Sequence, residues 1–326
     1  MPAGPSSISD LDGPLISKKM ITKERSMQTS THANPRALRD IEMALERTKA
    51  EIPVLTPMVT AFGPLLAERF RLREAASGWV GPLPVVDAER FSQGVFVLAD
   101  SGFQDMSAHL SEAAHGLLPI MANSFPAMAQ ELNTLIAAMD NGALTMDALA
   151  AAGFGEAFTV PGVNAETMDF AVAELVRPFV ERQAQDLAKL VRDLPWRQTI
   201  CPICGGTPNM SVLRRIRNDS EFIQAHGGRR FLRCSCCATE WTHKRISCPS
   251  CGCEEPDELV VLSDPSRPFE RADACHRCKT FLLCLDTGEL ADIPDPDVAA
   301  LTMLPLAHQA RRQGFVPLAE HPWGGL

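Results

Sequence analysis

Apolar residues recur at helical spacing through roughly the first two hundred positions of the chain. Leu38, Ile41, Leu45 and Ile52 are separated by three, four and seven residues, and this spacing places them on one face of a helix. Apolar stripes of this kind are typical of helices that pack against one another. The pattern therefore predicts an all-α domain over residues 36–196.

Two later segments carry signals for the start and the end of a helix. The segment Ser124–Pro126 resembles a helix cap followed by proline in the first turn, and Asn141 with Gly142 ends the apolar stripe that follows. Asn164 is suited to cap a longer helix. Pro178 lies inside that helix and should kink it or split it in two.

The pattern changes after Trp196, where short β-prone runs replace the helical stripes. The runs Arg230–Arg233, Glu258–Leu262 and Thr280–Leu283 are predicted as strands. An acidic, proline-spaced stretch follows, and then one predicted helix over Val298–Gln313. The chain thus predicts an α+β protein in which an all-α domain precedes a cysteine-rich β region and a short C-terminal helix.

Composition narrows the class of protein further. The 326 residues are 45% apolar, which suits one large domain or roughly two to three smaller ones. The 40 acidic and 31 basic residues give a formal charge of −9, which argues against general binding to nucleic acid or to an anionic membrane. Residues 1–35 are polar and aperiodic and are predicted to be disordered. Neither a signal peptide nor a membrane span is predicted, because no apolar run approaches about 18 residues.

The cysteines are confined to one part of the chain. All 11 lie between Cys201 and Cys284. Eight of them form Cys-x-x-Cys pairs, in which a tight turn aims two sulfurs at one ion. The pairs are Cys201 and Cys204, Cys234 and Cys237, Cys248 and Cys251, and Cys275 and Cys278. Without a secretory signal, metal-bound thiolates in a cytoplasm are favoured over disulfides.

The cysteine region is an internal repeat. The first and third pairs contain proline and are followed by glycine, whereas the second and fourth pairs have neither feature. The repeat predicts one four-cysteine ribbon over residues 197–246, a second over 247–290, and a C-terminal helix and tail over 291–326. The first two pairs should hold one ion and the last two pairs another. A cross-braced arrangement, with the first and third pairs on one ion, is the alternative.

Four thiolates suit either Zn²⁺ or a single iron, so the ligands alone do not identify the metal. A small ribbon has little core of its own, and a bound metal would dominate its stability. Cys236, Cys253 and Cys284 remain outside the ligand sets and are interpreted as buried or simply exposed cysteines. The nearby histidines are interpreted as surface or hydrogen-bonding residues. They are His226, His243 and His276.

Functions other than metal binding have weaker support in the sequence. Residues 211–245 carry eight arginine and lysine residues and three acids, so this stretch could bind nucleic acid, dock an acidic protein surface, or be a solvated face. Motifs for phosphate binding, for a nucleophilic serine or for zinc hydrolases are absent from the sequence. Complete four-cysteine sets also leave no open metal position for catalysis. The sequence thus argues against an enzyme.

Several cysteine-region motifs resemble the formate dehydrogenase accessory protein family FdhE. They are the segment Cys201–Pro208, the segment Arg230–Cys237 followed by Glu240 and Trp241, the segment Arg245–Cys251, and the segment Arg271–Cys278 followed by Phe281 and Leu282. The chain departs from the family in Phe281, where tyrosine is usual, in Cys236, where an aliphatic residue is usual, and in the added Cys253 and Cys284.

This resemblance implies a helical domain followed by two tandem rubredoxin-like or zinc-ribbon modules. It implies that the eight paired cysteines are the metal ligands and that iron is favoured over zinc, with two ions per chain. Proteins of this family are cytoplasmic maturation factors that bind the catalytic subunit of molybdenum- or tungsten-dependent formate dehydrogenases and are not enzymes themselves. A homodimer is compatible with the resemblance. A nucleic-acid-binding ribbon protein is the alternative function.

Overall fold

The N-terminal half of the protein is helical, as the sequence predicts. The computed structural model describes residues 38–215, 228–290 and 292–321, and the predicted disordered tail over residues 1–35 lies outside these ranges. The helices in this half are α1 (Leu38–Glu51), α2 (Thr56–Ala75), α3 (Ala88–Ser92), α4 (Ser107–Ser124), α5 (Ala129–Asp140), α6 (Met146–Gly153) and α7 (Ala165–Ala188). A 3₁₀ turn, Pro53–Leu55, joins α1 to α2.

The helices enclose one core whose centre lies along α4 and α7. Leu110 and Leu117 of α4 are completely buried, and so is Ala171 of α7. The apolar stripe of α1 faces the same core, because Ile41 and Leu45 are both buried. Helix stability here comes mainly from burial of these apolar faces.

The helix signals in the sequence differ in how well they match the structure. Asn164 caps α7, since its Oδ1 accepts a hydrogen bond of 2.7 Å from the Thr167 N–H. By contrast, Ser124 ends α4 and the next helix begins only at Ala129, so the predicted cap there is wrong. Pro178 does not split α7, which runs unbroken from Ala165 to Ala188. Close packing on most sides of α7 compensates for the hydrogen bond that proline cannot make.

The C-terminal half is built on a single sheet. Its strands are β1 (Pro208–Arg214), β2 (Arg229–Cys234), β3 (Glu240–His243), β4 (Leu259–Ser263), β5 (Glu270–Cys275), β6 (Thr280–Asp286) and β7 (Val316–Pro317). The spatial order is β3-β2-β1-β6-β5-β4, and the short β7 pairs with β6. Each four-cysteine unit supplies one antiparallel triplet, β1–β2–β3 or β4–β5–β6.

The two triplets join through β1 and β6, which run parallel. Met210 lies opposite Leu283, and Val212 lies opposite Leu285. This parallel pairing places the first strand of one repeat beside the last strand of the other. The repeats are therefore arranged head to tail in one continuous sheet.

The C-terminal segment forms two short helices where the sequence predicts one. They are α8 (Pro296–Thr302) and α9 (Leu304–Arg312), with Met303 between them. The single-helix prediction is wrong because Pro305 lacks an N–H and its ring would collide with the carbonyl of Leu301. The pair bridges the two halves of the protein: Leu301 joins the helical core, whereas Leu306 packs on the sheet.

Within the described ranges, no single helix is long and apolar enough to cross a membrane. The segments Ile41–Glu51 and Pro53–Ala75 pass such a test only together, by length and composition, and they are bent by 119°.

Candidate metal centre

The eight paired cysteines lie in two clusters of four at the turns of the sheet. The first cluster contains Cys201, Cys204, Cys234 and Cys237, and the second contains Cys248, Cys251, Cys275 and Cys278. Within each cluster the ligand atoms all lie within 4.8 Å of one another. The structure thus groups consecutive pairs, not the cross-braced pairs of the alternative arrangement.

The sulfur spacing fits a tetrahedral metal. In the first cluster Cys204 Sγ lies 3.5 Å from Cys234 Sγ and from Cys237 Sγ. In the second cluster Cys251 Sγ lies 3.8 Å from Cys275 Sγ. A zinc ion bonded to four sulfurs at about 2.3 Å would set the edges of the tetrahedron at about 3.8 Å. The donor set and its spacing therefore suit a four-coordinate thiolate site.

The two clusters differ in their exposure. Three of the four sulfur-bearing residues of the first cluster are buried, with only Cys204 half-buried. In the second cluster Cys251 is exposed and Cys278 is half-buried. The first cluster belongs to the main apolar core, whereas Cys248, Cys253 and Cys275 form a small separate one.

All four Cys-x-x-Cys turns share one backbone conformation. The residue after the second cysteine has a positive φ in every case, between 55° and 75°. These residues are Gly205, Ala238, Gly252 and Lys279. Glycine adopts this conformation freely, whereas Ala238 and Lys279 adopt it at a cost. The second and fourth pairs thus form the same turn as the first and third without glycine, which the sequence alone did not reveal.

A backbone hydrogen bond that recurs in both repeats explains the position of Cys253. The N–H of Cys201 donates to the carbonyl of Gly206, and the N–H of Cys248 donates to the carbonyl of Cys253, both at 2.8 Å. Cys253 therefore occupies in the second repeat the place that Gly206 occupies in the first. Its buried thiol lies outside the group of four.

Gly206 lacks a side chain and so leaves the space in which the sulfurs of the first cluster lie. A Cβ added there would lie 2.9 Å from Cys234 Sγ and 3.4 Å from Cys204 Sγ. We expect Gly206→Ala to displace these sulfurs and to weaken metal binding at the first site about 10–100-fold, the range typical of changes beside metal ligands. Competition with a chromophoric chelator measures this affinity.

Gly102→Ala is the matched control for this change. An added Cβ at Gly102 meets no heavy atom of the described residues within 4 Å. Equal metal affinities for the Gly206→Ala and Gly102→Ala proteins would show that the short distance from position 206 to the two sulfurs is unimportant.

A threonine stands beside the last cysteine of each cluster. Thr239 Oγ1 lies 3.2 Å from Cys237 Sγ, and Thr280 Oγ1 lies 3.0 Å from Cys278 Sγ. Burial raises the pKa of the Cys278 thiol, but hydrogen bonds with Thr280, together with those to Cys248 and Cys251, outweigh burial and bring the pKa to about 6. Both threonines sit two residues after the cysteine, a repeat that could have been found in the sequence and was missed.

The first cluster also favours a cation on electrostatic grounds. Hydrogen bonding with Cys201 is the main cause that holds the pKa of the Cys234 thiol far below its ordinary value. The same neighbour raises the pKa of the Cys204 thiol. Four sulfurs this close cannot all ionise unless a positive charge lies among them, because adjacent thiolates repel one another.

Backbone hydrogen bonds attach the first cluster to the helical domain. The N–H groups of Val97 and Leu98, which follow α3, donate to the carbonyls of Pro202 and Ile203 at 2.9 and 3.0 Å. The ring of Phe96 lies against Gly205, where an added Cβ would approach it to 2.7 Å. The first Cys-x-x-Cys turn is therefore held from both sides, by its own sheet and by the helical domain.

A buried group of charges lies where α2, α7, β2 and α8 meet. Its members are Arg69, Glu174, Arg177, Glu181, Arg233 and Asp297, all of them buried. Buried charges of this kind are stable only when they are paired. We call this group the junction cluster.

Asp297 forms ion pairs with three arginines of the junction cluster. Its carboxylate lies 3.1 Å from Arg233 Nη1, 3.3 Å from Arg69 Nη2 and 3.7 Å from Arg177 Nη2. Burial alone would raise the pKa of Asp297, but these guanidinium groups, with Arg233 foremost, hold it far below its usual range. Asp297 thus joins the C-terminal segment, the first ribbon and the helical domain. This role of Asp297 could not be predicted from the sequence, because charged residues on helices are usually solvated.

The basic stretch predicted over residues 211–245 is not one exposed face. Arg233 belongs to the junction cluster, and Arg230 is buried and pairs with Asp273 at 3.1 Å. Arg214 is only partly exposed and lies 2.5 Å from Glu240. Arg230 and Arg233 lie three residues apart on β2 and so point to opposite faces of the sheet, yet both are buried. The sequence could not anticipate this, because it does not show that both faces are covered here. Residues 216–227, including Arg217 and His226, lie outside the described residues.

The remaining cysteines and histidines near the clusters lie outside the groups of four. Cys236 is exposed, and Cys284 is buried in β6. His243 Nδ1 lies 3.0 Å from the carbonyl of Lys244, and His276 is exposed.

Comparison with known proteins connects this architecture with one family. Residues 200–245, which contain the first cluster, match the family described as "FdhE, central domain". Over 167 residues the chain is 26% identical to "Protein FdhE homolog" of Aquifex aeolicus (strain VF5), covering 51% of this chain and 56% of that protein. It is 32% identical over 109 residues to "Protein FdhE homolog" of Shewanella sp. (strain MR-4), covering 33% of each chain. These matches thus span between a third and somewhat over half of the relatives' lengths.

The fold agrees with a solved structure. "The crystal structure of the FdhE protein from Pseudomonas aeruginosa" superposes with a TM-score of 0.55 and 18% sequence identity, covering 89% of this chain and 96% of that chain. At this identity the likeness concerns the fold. The resemblance to FdhE that the cysteine motifs suggested is confirmed.

Proposed function

We infer that this chain, which carries an FdhE central domain, is an accessory factor needed for formate dehydrogenase activity and not an enzyme itself. The match of residues 200–245 to that domain carries the inference, because it coincides with the first four-sulfur cluster. The shared fold of the helical domain and the sheet supports it further. In this role the protein would bind the catalytic subunit of the dehydrogenase during its maturation.

The two clusters would each hold one metal ion, with the eight paired cysteines as ligands. Iron is favoured by the family resemblance, and zinc fits the same sulfur spacing. The metal would fix the turns of the sheet from which the surface of each ribbon is built. Iron, when bound, would add one-electron redox chemistry.

The absence of catalysis is supported by the closed character of the sites. A catalytic metal keeps a coordination position open for water or substrate, whereas four cysteines fill a tetrahedral site. We expect the protein to act in the cytoplasm, where thiolates remain reduced. A homodimer is compatible with this role.

A nucleic-acid-binding ribbon protein is the less favoured function. Its main support was the basic stretch, yet Arg230 and Arg233 are buried and paired with acids. A positive surface must be exposed to neutralise phosphates.

Deletion of the gene tests the proposed function. We expect formate oxidation by cell extracts to be lost while the dehydrogenase polypeptide is still made, because an accessory factor acts after synthesis. Activity staining and immunoblotting of the same extracts measure the two quantities. Reintroducing the unmodified gene should restore activity. Full formate oxidation in the deletion strain would contradict the proposal.

A further inference from the structure

A small open cavity lies beside the second cluster. It has a volume of about 150 Å³ and lies between β4, β5 and the linker that joins the two ribbons. Pockets for small-molecule ligands usually enclose about 300–1,000 Å³. This cavity is smaller, so it suits a single side chain of a longer binding partner. We call it the linker groove.

The linker groove adjoins an open edge of the sheet. β4 ends the strand order, and among the described residues it pairs only with β5. β4 is the counterpart in the second repeat of β1, since each follows the first Cys-x-x-Cys pair of its repeat. The side of β1 that does not pair with β2 pairs with β6 in parallel, whereas no strand in the described residues pairs with the equivalent side of β4. An extended segment could therefore continue the sheet at β4, a recognised mode of peptide binding.

Two large apolar side chains at the groove remain in water. Ile246 in the linker is 62% exposed and Val261 on β4 is 54% exposed. Both line the linker groove. Val261 lies opposite Asp273, which in turn lies opposite Leu282, so these three residues share one face across β4, β5 and β6. Exposed apolar residues around a cavity at a sheet edge are typical of an interaction site.

The charges at the groove favour a negatively charged partner. Arg230, Arg245 and Arg271 line it, together with a single acid, Asp273. Asp273 already pairs with Arg230 and with Arg271, each at 3.1 Å. Arg245 is exposed and forms no ion pair with any residue in the described ranges. The Nε of Arg230 is buried and has no hydrogen-bond partner among those residues. The groove therefore carries an excess of cations in a protein whose formal charge is −9.

We propose that the linker groove and the β4 edge bind an extended segment of the dehydrogenase catalytic subunit that carries an aliphatic side chain next to a carboxylate. The aliphatic side chain fills the cavity between Ile246 and Val261, and the carboxylate meets Arg245. The backbone of the segment pairs with β4. This assignment rests on the proposed function, because it takes the dehydrogenase as the partner.

Binding of the purified catalytic subunit to the full-length, metal-loaded protein tests the assignment. We expect Val261→Asp and Arg245→Glu each to weaken binding roughly tenfold or more in biolayer interferometry, as is typical of central interface residues. Val316→Asp is the matched control, because Val316 is 56% exposed on β7 and does not line the groove. Its binding should equal that of the unmodified protein. Metal content should be two ions per chain in all three variants, since none of them changes a cysteine.

A photo-crosslinking residue at position 261 identifies the bound segment. We expect mass spectrometry to find a peptide of the catalytic subunit that contains Asp or Glu beside Leu, Ile or Val, and to find no such product from position 316. Unchanged binding by both groove variants, or crosslinking from position 261 to a second copy of this chain or to nucleic acid, overturns the groove assignment while the accessory role stands. If the unmodified protein does not bind the catalytic subunit at all, both the groove assignment and the proposed binding role fail.

Discussion

Replacing Cys234 by serine should reduce the metal content of the protein from two ions per chain to one and should unfold β1, β2 and β3 together. Cys234 is buried at the end of β2, with its sulfur 3.5 Å from Cys204 Sγ. A four-thiolate site in a small ribbon contributes about 10–16 kcal/mol to folding in isolated zinc-finger peptides, and most of this would be lost with one ligand. Metal analysis after anaerobic purification measures the stoichiometry, and hydrogen exchange measures the protection of the strands.

Cys236→Ser provides the control for the ligand change. Cys236 is an exposed cysteine two residues further along that lies outside the group of four. This variant should keep two ions and full protection of β1–β3. Two ions per chain in the Cys234→Ser protein would show that Cys234 is not a ligand.

Replacing Asp297 by asparagine should lower the free energy of unfolding by about 3–5 kcal/mol, the usual cost of removing one partner from a buried ion pair. The change keeps the shape of the side chain but removes the charge that Arg69, Arg177 and Arg233 share. Of the acids in the junction cluster, only Glu174 and Glu181 would then remain to neutralise the three guanidinium groups, with Asp295 nearby acting on Arg233. Urea denaturation of the metal-loaded protein, followed by circular dichroism, measures the change.

The Asp292→Asn variant is the control for the Asp297 change. The Asp292 side chain is 84% exposed and lies 3.9 Å from Arg47, so its loss should cost no more than about 1 kcal/mol. Equal stabilities for the Asp297→Asn and Asp292→Asn proteins would mean that the junction cluster does not hold the three parts together.

The contribution of Asp297 to the free energy of unfolding should decrease as the pH falls. Its pKa is lower in the folded protein than in the unfolded chain. The stabilisation is therefore complete well above the unfolded pKa, about 4, and is lost as pH falls towards the folded pKa. The stability difference between the unmodified protein and the Asp297→Asn variant should accordingly shrink below about pH 4. A difference that grew on acidification would contradict this account.

The parts of the fold that depend on local signals could be predicted from the sequence. The cysteine spacing and the alternation of the four pairs indicated which sulfurs would lie together, because a tight turn fixes two ligands whatever surrounds it. The apolar period identified α1, and the side chain of Asn164 identified the start of α7. The division of the chain at residues 196 and 246 remains a prediction.

Features that depend on distant parts of the chain could not be predicted in this way. The parallel pairing of β1 with β6 joins positions about 70 residues apart, such as Met210 and Leu283, and nothing local specifies it. The junction cluster likewise combines residues from four elements. Its charges have the ordinary sequence signature of a solvated face, and only packing reveals that Arg233 is buried.

The unequal burial of the two sulfur clusters implies that metal ions bound there would have two different lifetimes. Cys251 is open to solvent, so small competing thiols and oxidants reach the second cluster directly. The first cluster is largely buried and is covered by the helical domain through Val97 and Leu98, so a bound ion there would be released more readily when that contact opens. The second site would therefore exchange its ion with the cellular metal pool, whereas the first would keep its ion for as long as the protein stays folded.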